Sequence, residues 1–262
     1  MANTDSPTCV PNTFHCIAHR GASGYAPENT MAAFELAKKM GATEVELDIQ
    51  FSQDNQLMIC HDPELSRYGH AGKHVSELSL QDLKALDMGS WFDAITNAEI
   101  NTRKFAGEKL IALDELFKKF KTQFTYHVEI KTPAPGLARA ILDCIIEHHL
   151  TANTYITSFH FDALVEVASL TDDETKIPLG WLVRENAFTT DNILRAAAAG
   201  FTQFCPMATE VTPERVAESH KYLPEVRAHS VKTKQDMIRV IDADCDGLTI
   251  NWPDWLTYKE KI

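Results

Sequence analysis

Glu44-Val45-Glu46-Leu47-Asp48-Ile49 is the stretch on which the fold reading turns. Val45, Leu47 and Ile49 share one side of a two-residue period, and Glu46 and Asp48 share the other. A Glu-x-Asp pair on a strand often marks a solvent-exposed face. In a parallel barrel the aliphatic side meets an outer layer of helices, so the two acids point inward. Buried carboxylates there need partners or a metal.

Working outward, short apolar strand-like runs alternate with helical patterns along the chain. The predicted strands are 14–18, 44–49, 124–130, 155–158, 178–183, 203–206, 226–229 and 247–250. Helical patterns cover 29–40, 137–149, 161–169, 191–199, 213–221 and 234–243. Thr212-Pro213-Glu214 and Thr190-Asp191 read as helix starts, and Gly41 and Gly200 as helix ends. Eight strand–helix units predict an α/β fold, a TIM (β/α)8 barrel. No Gly-x-Gly-x-x-Gly follows the first strand, which removes the main support for a dinucleotide-binding sheet. Residues 62–109 carry no clear central strand and are too long for an ordinary barrel loop. They predict a small inserted subdomain after the second strand, within a single domain spanning 1–262.

The 262 residues, 44% of them hydrophobic, suffice for a sizeable core. A formal charge of −12 argues against nucleic acid or an anionic membrane as partner. It is compatible with a small phosphate substrate, because a metal and a few local cations reverse the field inside one pocket. No signal-peptide pattern or transmembrane run is present, and six cysteines are scattered without a Cys-x-x-Cys pair. The expected compartment is the cytoplasm. The oligomeric state stays open, a homo-oligomer being compatible with the sequence.

In this barrel the site lies at the carboxyl ends of the strands. His19 and Arg20 follow the first strand, Glu46 and Asp48 lie in the second, and Glu129 and Lys131 end the third. A turn at Asp54-Asn55 returns the chain through 56–60 and delivers His61-Asp62 to the same mouth. Each feature has a plainer reading: a structural histidine, a solvated acidic face, a Glu129–Lys131 ion pair. Their coincidence reads as a metal-assisted phosphate-ester hydrolase, since histidines move protons, paired acids hold hard cations and arginine grips phosphate.

His19-Arg20-Gly21, Pro27-Glu28-Asn29-Thr30, Gly41-Ala42, Glu46-x-Asp48, His61-Asp62 and Glu129-x-Lys131 resemble the glycerophosphodiester phosphodiesterases. Gly107–Leu116, Thr157-Ser158-Phe159 and the run from Asp246 to Asp254 extend the resemblance over nearly the whole chain. One departure is Ile250-Asn251-Trp252-Pro253, where many members carry Thr-Asp-x-Pro. The resemblance implies metal-dependent hydrolysis of glycerophosphodiesters, such as glycerophosphocholine and glycerophosphoethanolamine, to sn-glycerol 3-phosphate and an alcohol. It implies Glu46, Asp48 and Glu129 as ligands of Mg2+ or Ca2+ and His19 and His61 as the acid–base pair. Arg20 and Lys131 would hold phosphate or substrate, and Glu28 would orient neighbours beside the site, unless Asn29 simply caps the helix there. The glycerol's own neighbouring hydroxyl would be the nucleophile, giving a cyclic phosphate that water opens. Trp181, Trp252, Phe159 and the insertion's Trp91 or Phe92 are the aromatic candidates for the alcohol side, where a ring face could receive choline. Core packing is the plainer role for each. The rival readings are a lysophospholipase D or sphingomyelinase-D-like barrel and a non-catalytic phosphate-binding barrel, which needs no acid–base pair.

Overall fold

A computed structural model of the protein describes residues 14–96, 104–173 and 175–257. The strands are β1 (His15–His19), β2 (Glu44–Phe51), β3 (Leu57–Ile59), β4 (Ile111–Ala112), β5 (Thr125–Ile130), β6 (Thr154–Ser158), β7 (Leu179–Leu182), β8 (Gln203–Cys205), β9 (Glu225–Val231) and β10 (Gly247–Ile250). Eight of them run parallel in the order β1-β10-β9-β8-β7-β6-β5-β2, and pairing of β1 with β2 closes the barrel. The short β3 and β4 add to this sheet in antiparallel fashion outside the ring. The helices are α1 (Met31–Lys39), α2 (Leu80–Ala85), α3 (Ser90–Ile95), α4 (Leu113–Phe120), α5 (Leu137–Glu147), α6 (Phe161–Ser169), α7 (Thr190–Ala198), α8 (Pro213–Ser219), α9 (Lys234–Asp242) and α10 (Asp254–Thr257).

The alternation in β2 has the consequence its sequence dictates. Val45, Leu47 and Ile49 join Tyr126, Val128, Ile130, Val226 and Ala228 in one apolar layer with the helices. Each such buried side chain contributes about 1.5–3 kcal/mol. The opposite parity faces the barrel axis, so Glu46 and Asp48 are buried there beside Glu129. Register completes the placement: His19 lies opposite Glu46, and Asp48 opposite Glu129.

Several boundaries differ from the sequence reading for local reasons. The second strand runs on to Phe51 because Gln50 and Phe51 pair with Met58 and Leu57 in the return hairpin. The Gln50 amide then donates to the carbonyls of Cys60 (2.9 Å) and Asp62 (3.2 Å), which ties down the segment carrying His61. The cap of α1 is Thr30, whose hydroxyl accepts from the Ala33 amide at 3.3 Å, and not Asn29. Likewise Thr189 caps α7. Between β3 and β4 lie α2, α3 and two single 3₁₀ turns, Ser66–Tyr68 and Val75–Glu77. They close over a satellite cluster that includes Met58, Leu65, Val75, Leu83 and Leu110, separate from the barrel core.

Candidate active site

The chain turns sharply after β1. Arg20 has a left-handed backbone (φ 55°), and Gly21 follows at φ 80°. A side chain on Gly21 would meet the Ala33 backbone at 2.6 Å, so only glycine lets this turn lie against α1. The Arg20 amide donates to the Glu46 carbonyl (3.0 Å) and to Glu46 Oε2 (3.2 Å). Such strained backbone at a mouth of converging polar groups is a mark of function.

Glu46, Asp48 and Glu129 each present a carboxylate oxygen within 4.8 Å of the others, and all three residues are buried. Glu46 Oε1 and Asp48 Oδ1 are buried without a hydrogen-bond partner. Burial, then the neighbouring Asp48 and Glu129, push Glu46 well above the ordinary carboxylate range. Burial and Asp48 push Glu129 up to about 7. Burial opposes the charge of Asp48 too, but Arg20 and Lys131 outweigh it and hold Asp48 below its ordinary value. The cluster is thus short of positive charge and has orphaned oxygens, the condition that a hard divalent cation relieves.

The cations stand around Asp48. Arg20 Nε lies 3.1 Å from Asp48 Oδ2, and Lys131 Nζ lies 3.5 Å from Asp48 Oδ1 and 3.1 Å from Glu129 Oε1. Asn29, freed from capping by its left-handed backbone (φ 58°), donates to Asp48 Oδ2 at 2.8 Å. Glu28 accepts from Arg20 (2.9 Å), from Arg67 at both oxygens (2.6 and 3.0 Å) and from the Tyr68 hydroxyl (2.9 Å). Although burial opposes its charge, the bonds from Arg67 and the nearby Arg20 hold Glu28 well below the usual carboxylate range. It thereby couples Arg20 to the segment between β3 and β4.

Both histidines line the same cavity of about 400 Å³, with Arg20, Glu46, Glu129 and Lys131. His19 Nδ1 donates to Asn251 Oδ1 at 2.6 Å, leaving its Nε2 lone pair facing the site, 3.8 Å from Glu46 Oε2. His61 Nδ1 is held by Asp62, whose other oxygen accepts from Arg67 at 2.6 Å. Burial and Arg20 push His19 down to about 3. Burial, with Arg20 and Lys131, also keeps His61 below the ordinary histidine range against the pull of Asp48. Each ring is therefore neutral near pH 7, with a partner fixing its tautomer.

The sequence pattern that describes the glycerophosphoryl diester phosphodiesterase family matches residues 19–255. The chain belongs to this family. Among its relatives, the glycerophosphodiester phosphodiesterase of Bacillus subtilis (strain 168) is 31% identical over 96% of this chain and 87% of that protein. The glycerophosphodiester phosphodiesterase of Caldanaerobacter subterraneus subsp. tengcongensis is 30% identical over 92% of this chain and 95% of its own. The fold matches the structure of an Oleispira antarctica phosphodiesterase in complex with the product sn-glycerol-3-phosphate, at a TM-score of 0.80 and 23% identity, covering 97% and 98% of the two chains. The protein is a glycerophosphodiester phosphodiesterase, a phosphoric diester hydrolase.

In this member of the glycerophosphodiester phosphodiesterase family the aromatic candidates divide. Phe159 lines the cavity. Trp181 does not: Gly180 and Leu182 take the inward parity of β7, so Trp181 points outward onto Phe161 (4.9 Å) and Phe204 (5.9 Å). Trp252 also lies outside the cavity lining, stacked flat on Trp255 at 4.6 Å and packed over Gly24. Trp91 stands edge-on to Tyr68 and near Arg67, and Phe92 is buried against Phe105. Four contacts were not in the sequence reading: Asn251, expected only in a variant loop near the alcohol pocket, on His19; Asn29 on Asp48; Asp62 on His61; and Arg67 bridging Asp62 to Glu28. Only the adjacency of His61 and Asp62 was a local signal for any of them.

Proposed function

We propose that the chain works as one catalytic barrel, with Asp62 and Arg67 of the inserted segment bracing His61 and Glu28, and hydrolyses glycerophosphodiesters to sn-glycerol 3-phosphate and an alcohol by histidine acid–base catalysis. The observation that carries this reading is the meeting, around one cavity, of two partnered histidines, the acidic cluster of Glu46, Asp48 and Glu129, and the cations Arg20 and Lys131. Glu46, Asp48 and Glu129 would hold Mg2+ or Ca2+, a choice supported by their all-oxygen donor set and by the two orphaned oxygens. When bound, such a cation draws charge from the phosphoryl oxygens and orients the phosphate.

Arg20 and Lys131 assist by presenting N–H donors to the non-bridging oxygens, where negative charge builds in the transition state. One histidine takes the proton of the attacking hydroxyl at its free Nε2; the other, protonated at Nε2 once the substrate's anionic phosphate lies beside it, gives that proton to the departing alcohol oxygen. Such paired roles contribute about 10²–10⁴-fold each. Asn251 and Asp62 keep both Nε2 atoms aimed at the substrate. Glu28 and Asn29 act indirectly, by setting Arg20 and Asp48. The substrate is a small molecule, and the charge of −12 disfavours nucleic acid or an anionic membrane as partner. Among the described residues no helix is long and apolar enough to cross a membrane. Five cysteines without disulfides there fit the cytoplasm as compartment.

The test measures sn-glycerol 3-phosphate released from glycerophosphocholine and from glycerophosphoinositol after chelation, then after adding Mg2+ or Ca2+, with His19→Ala alongside. Release restored by metal and lost in the variant supports the reading. No release with either metal, or full activity in the variant, overturns it.

A further inference from the structure

The cavity has a second wall that the acid–base and metal roles leave unused. It includes Phe159, Leu182 and Arg184, at or just past the ends of β6 and β7, and Arg227, His229 and Thr249, on the inward side of β9 and β10. We propose that this wall receives the leaving alcohol and selects alcohols that bear a further anionic group, such as a phosphomonoester. The inference deepens the glycerophosphodiesterase reading and rests on it.

Arg227 is the central observation. It is 1% exposed, yet lines the cavity. Its guanidinium donates to Thr249 Oγ1 (2.5 Å) and Cys205 Sγ (3.4 Å), and its Nε has no hydrogen-bond partner. Among the described residues no carboxylate lies within 4.0 Å of it. Glu225, on the same face of β9, is engaged by the Tyr155 hydroxyl (3.1 Å) and the Gln203 amide (2.9 Å). Burying a guanidinium without a counter-charge is costly, and an anionic ligand group is what would offset that cost.

Arg184 repeats the pattern at the rim. It is exposed, stands over the Phe159 ring at 4.9 Å, and has no ion-pair partner among the described residues. Lys131 lies 5.7 Å from the same ring, and His229 meets it edge-on at 5.3 Å. The ring that would receive a choline cation is therefore already attended by cations. The acids lining the cavity, Glu46 and Glu129, both belong to the metal cluster, so this wall offers a quaternary ammonium no counter-charge. The glycerol arm carries only hydroxyls and calls for no second pair of guanidiniums. An anionic alcohol does, and Arg184 and Arg227 supply forked donors suited to phosphate oxygens.

The experiment uses a matched pair: glycerophosphoinositol 4-phosphate and glycerophosphoinositol, which differ by one phosphomonoester. The kcat/KM ratio is measured for the metal-loaded wild type, Arg184→Gln and Arg227→Gln. The wild type is expected to favour the phosphorylated substrate by about tenfold or more, the effect of one charge-assisted hydrogen bond. Each substitution should bring the ratio towards one, and the exposed Arg184 variant serves should Arg227→Gln fail to fold. A wild-type ratio of one or less overturns the proposal. So does a ratio that survives the substitutions, including an equal loss on both substrates in Arg227→Gln, which would put that guanidinium on the scissile phosphate. Absence of sn-glycerol 3-phosphate from every glycerophosphodiester removes the underlying reading, and this inference with it.

Discussion

Replacing Asn251 with leucine removes the acceptor that fixes His19 while keeping nearly the same volume. The lost contact is the 2.6 Å bond from His19 Nδ1 to Asn251 Oδ1. A partly buried donor left without its acceptor costs about 1–3 kcal/mol. Because the ring is then free to turn or to carry its proton on Nε2, that loss falls on the reacting geometry. At 1.4 kcal/mol per factor of ten, kcat should drop about 10–100-fold. KM should change little, since Asn251 is directed at His19 and does not line the cavity. The assay is steady-state release of sn-glycerol 3-phosphate at saturating metal, with circular dichroism to check the fold. Asn251→Asp restores an acceptor of the same shape and should recover most of the activity, with the rate profile shifted towards higher pH because a carboxylate raises the pKa of its histidine partner. Activity of Asn251→Leu within twofold of wild type, in a folded protein, would refute the positioning role.

Three further outcomes follow from the geometry. Glu46→Gln and Asp48→Asn each remove one oxygen charge from the acidic cluster and should raise the metal concentration needed for half-maximal activity; an unchanged metal titration in both would refute the ligand assignment. Gly24→Ala would drive a methyl group into the Trp252 indole, on a ring already stacked against Trp255, and should lower stability by about 1–3 kcal/mol in denaturant titration. His127, buried and bonded to Glu44 at 2.8 Å, is pushed down by burial to about 4 from an ordinary 6.5. Between those values the unfolded chain binds a proton that the native barrel does not, so stability should fall as pH drops from 6.5 to 4, and His127→Gln should flatten that slope in thermal melts.

Much of the fold was legible because its signals are local. The two-residue alternation of β2, the Thr212-Pro213 helix start and the eightfold succession of strand and helix depend on neighbours a few positions apart. The site residues that follow strands were legible for the same reason: in a parallel barrel every strand's carboxyl end reaches one mouth. Strand parity beyond β2 was less legible. Parallel strands are buried on both faces, so composition does not say which side of β7 meets the helices, and Trp181 was expected in the cleft when closure turns it outward. Asn29 suits a cap by residue type, which left capping as an alternative account of its segment, but Thr30 takes that role and Asn29 turns to Asp48.

The chain's own order determined the barrel, the inward acids of β2, and the convergence of His19, Arg20, His61, Glu129 and Lys131 on one end. Tertiary structure alone decided which groups touch. Asn251 meets His19 across 232 positions of sequence because β10 pairs with β1 to close the ring. Arg227 stands in a strand that reads as half apolar, and only the parity of β9 shows that its charge enters the cavity. The physical reason is the same in both cases. Secondary structure follows short-range sterics and hydrophobic period, whereas partners, counter-charges and orphaned atoms exist only after the barrel has closed around them.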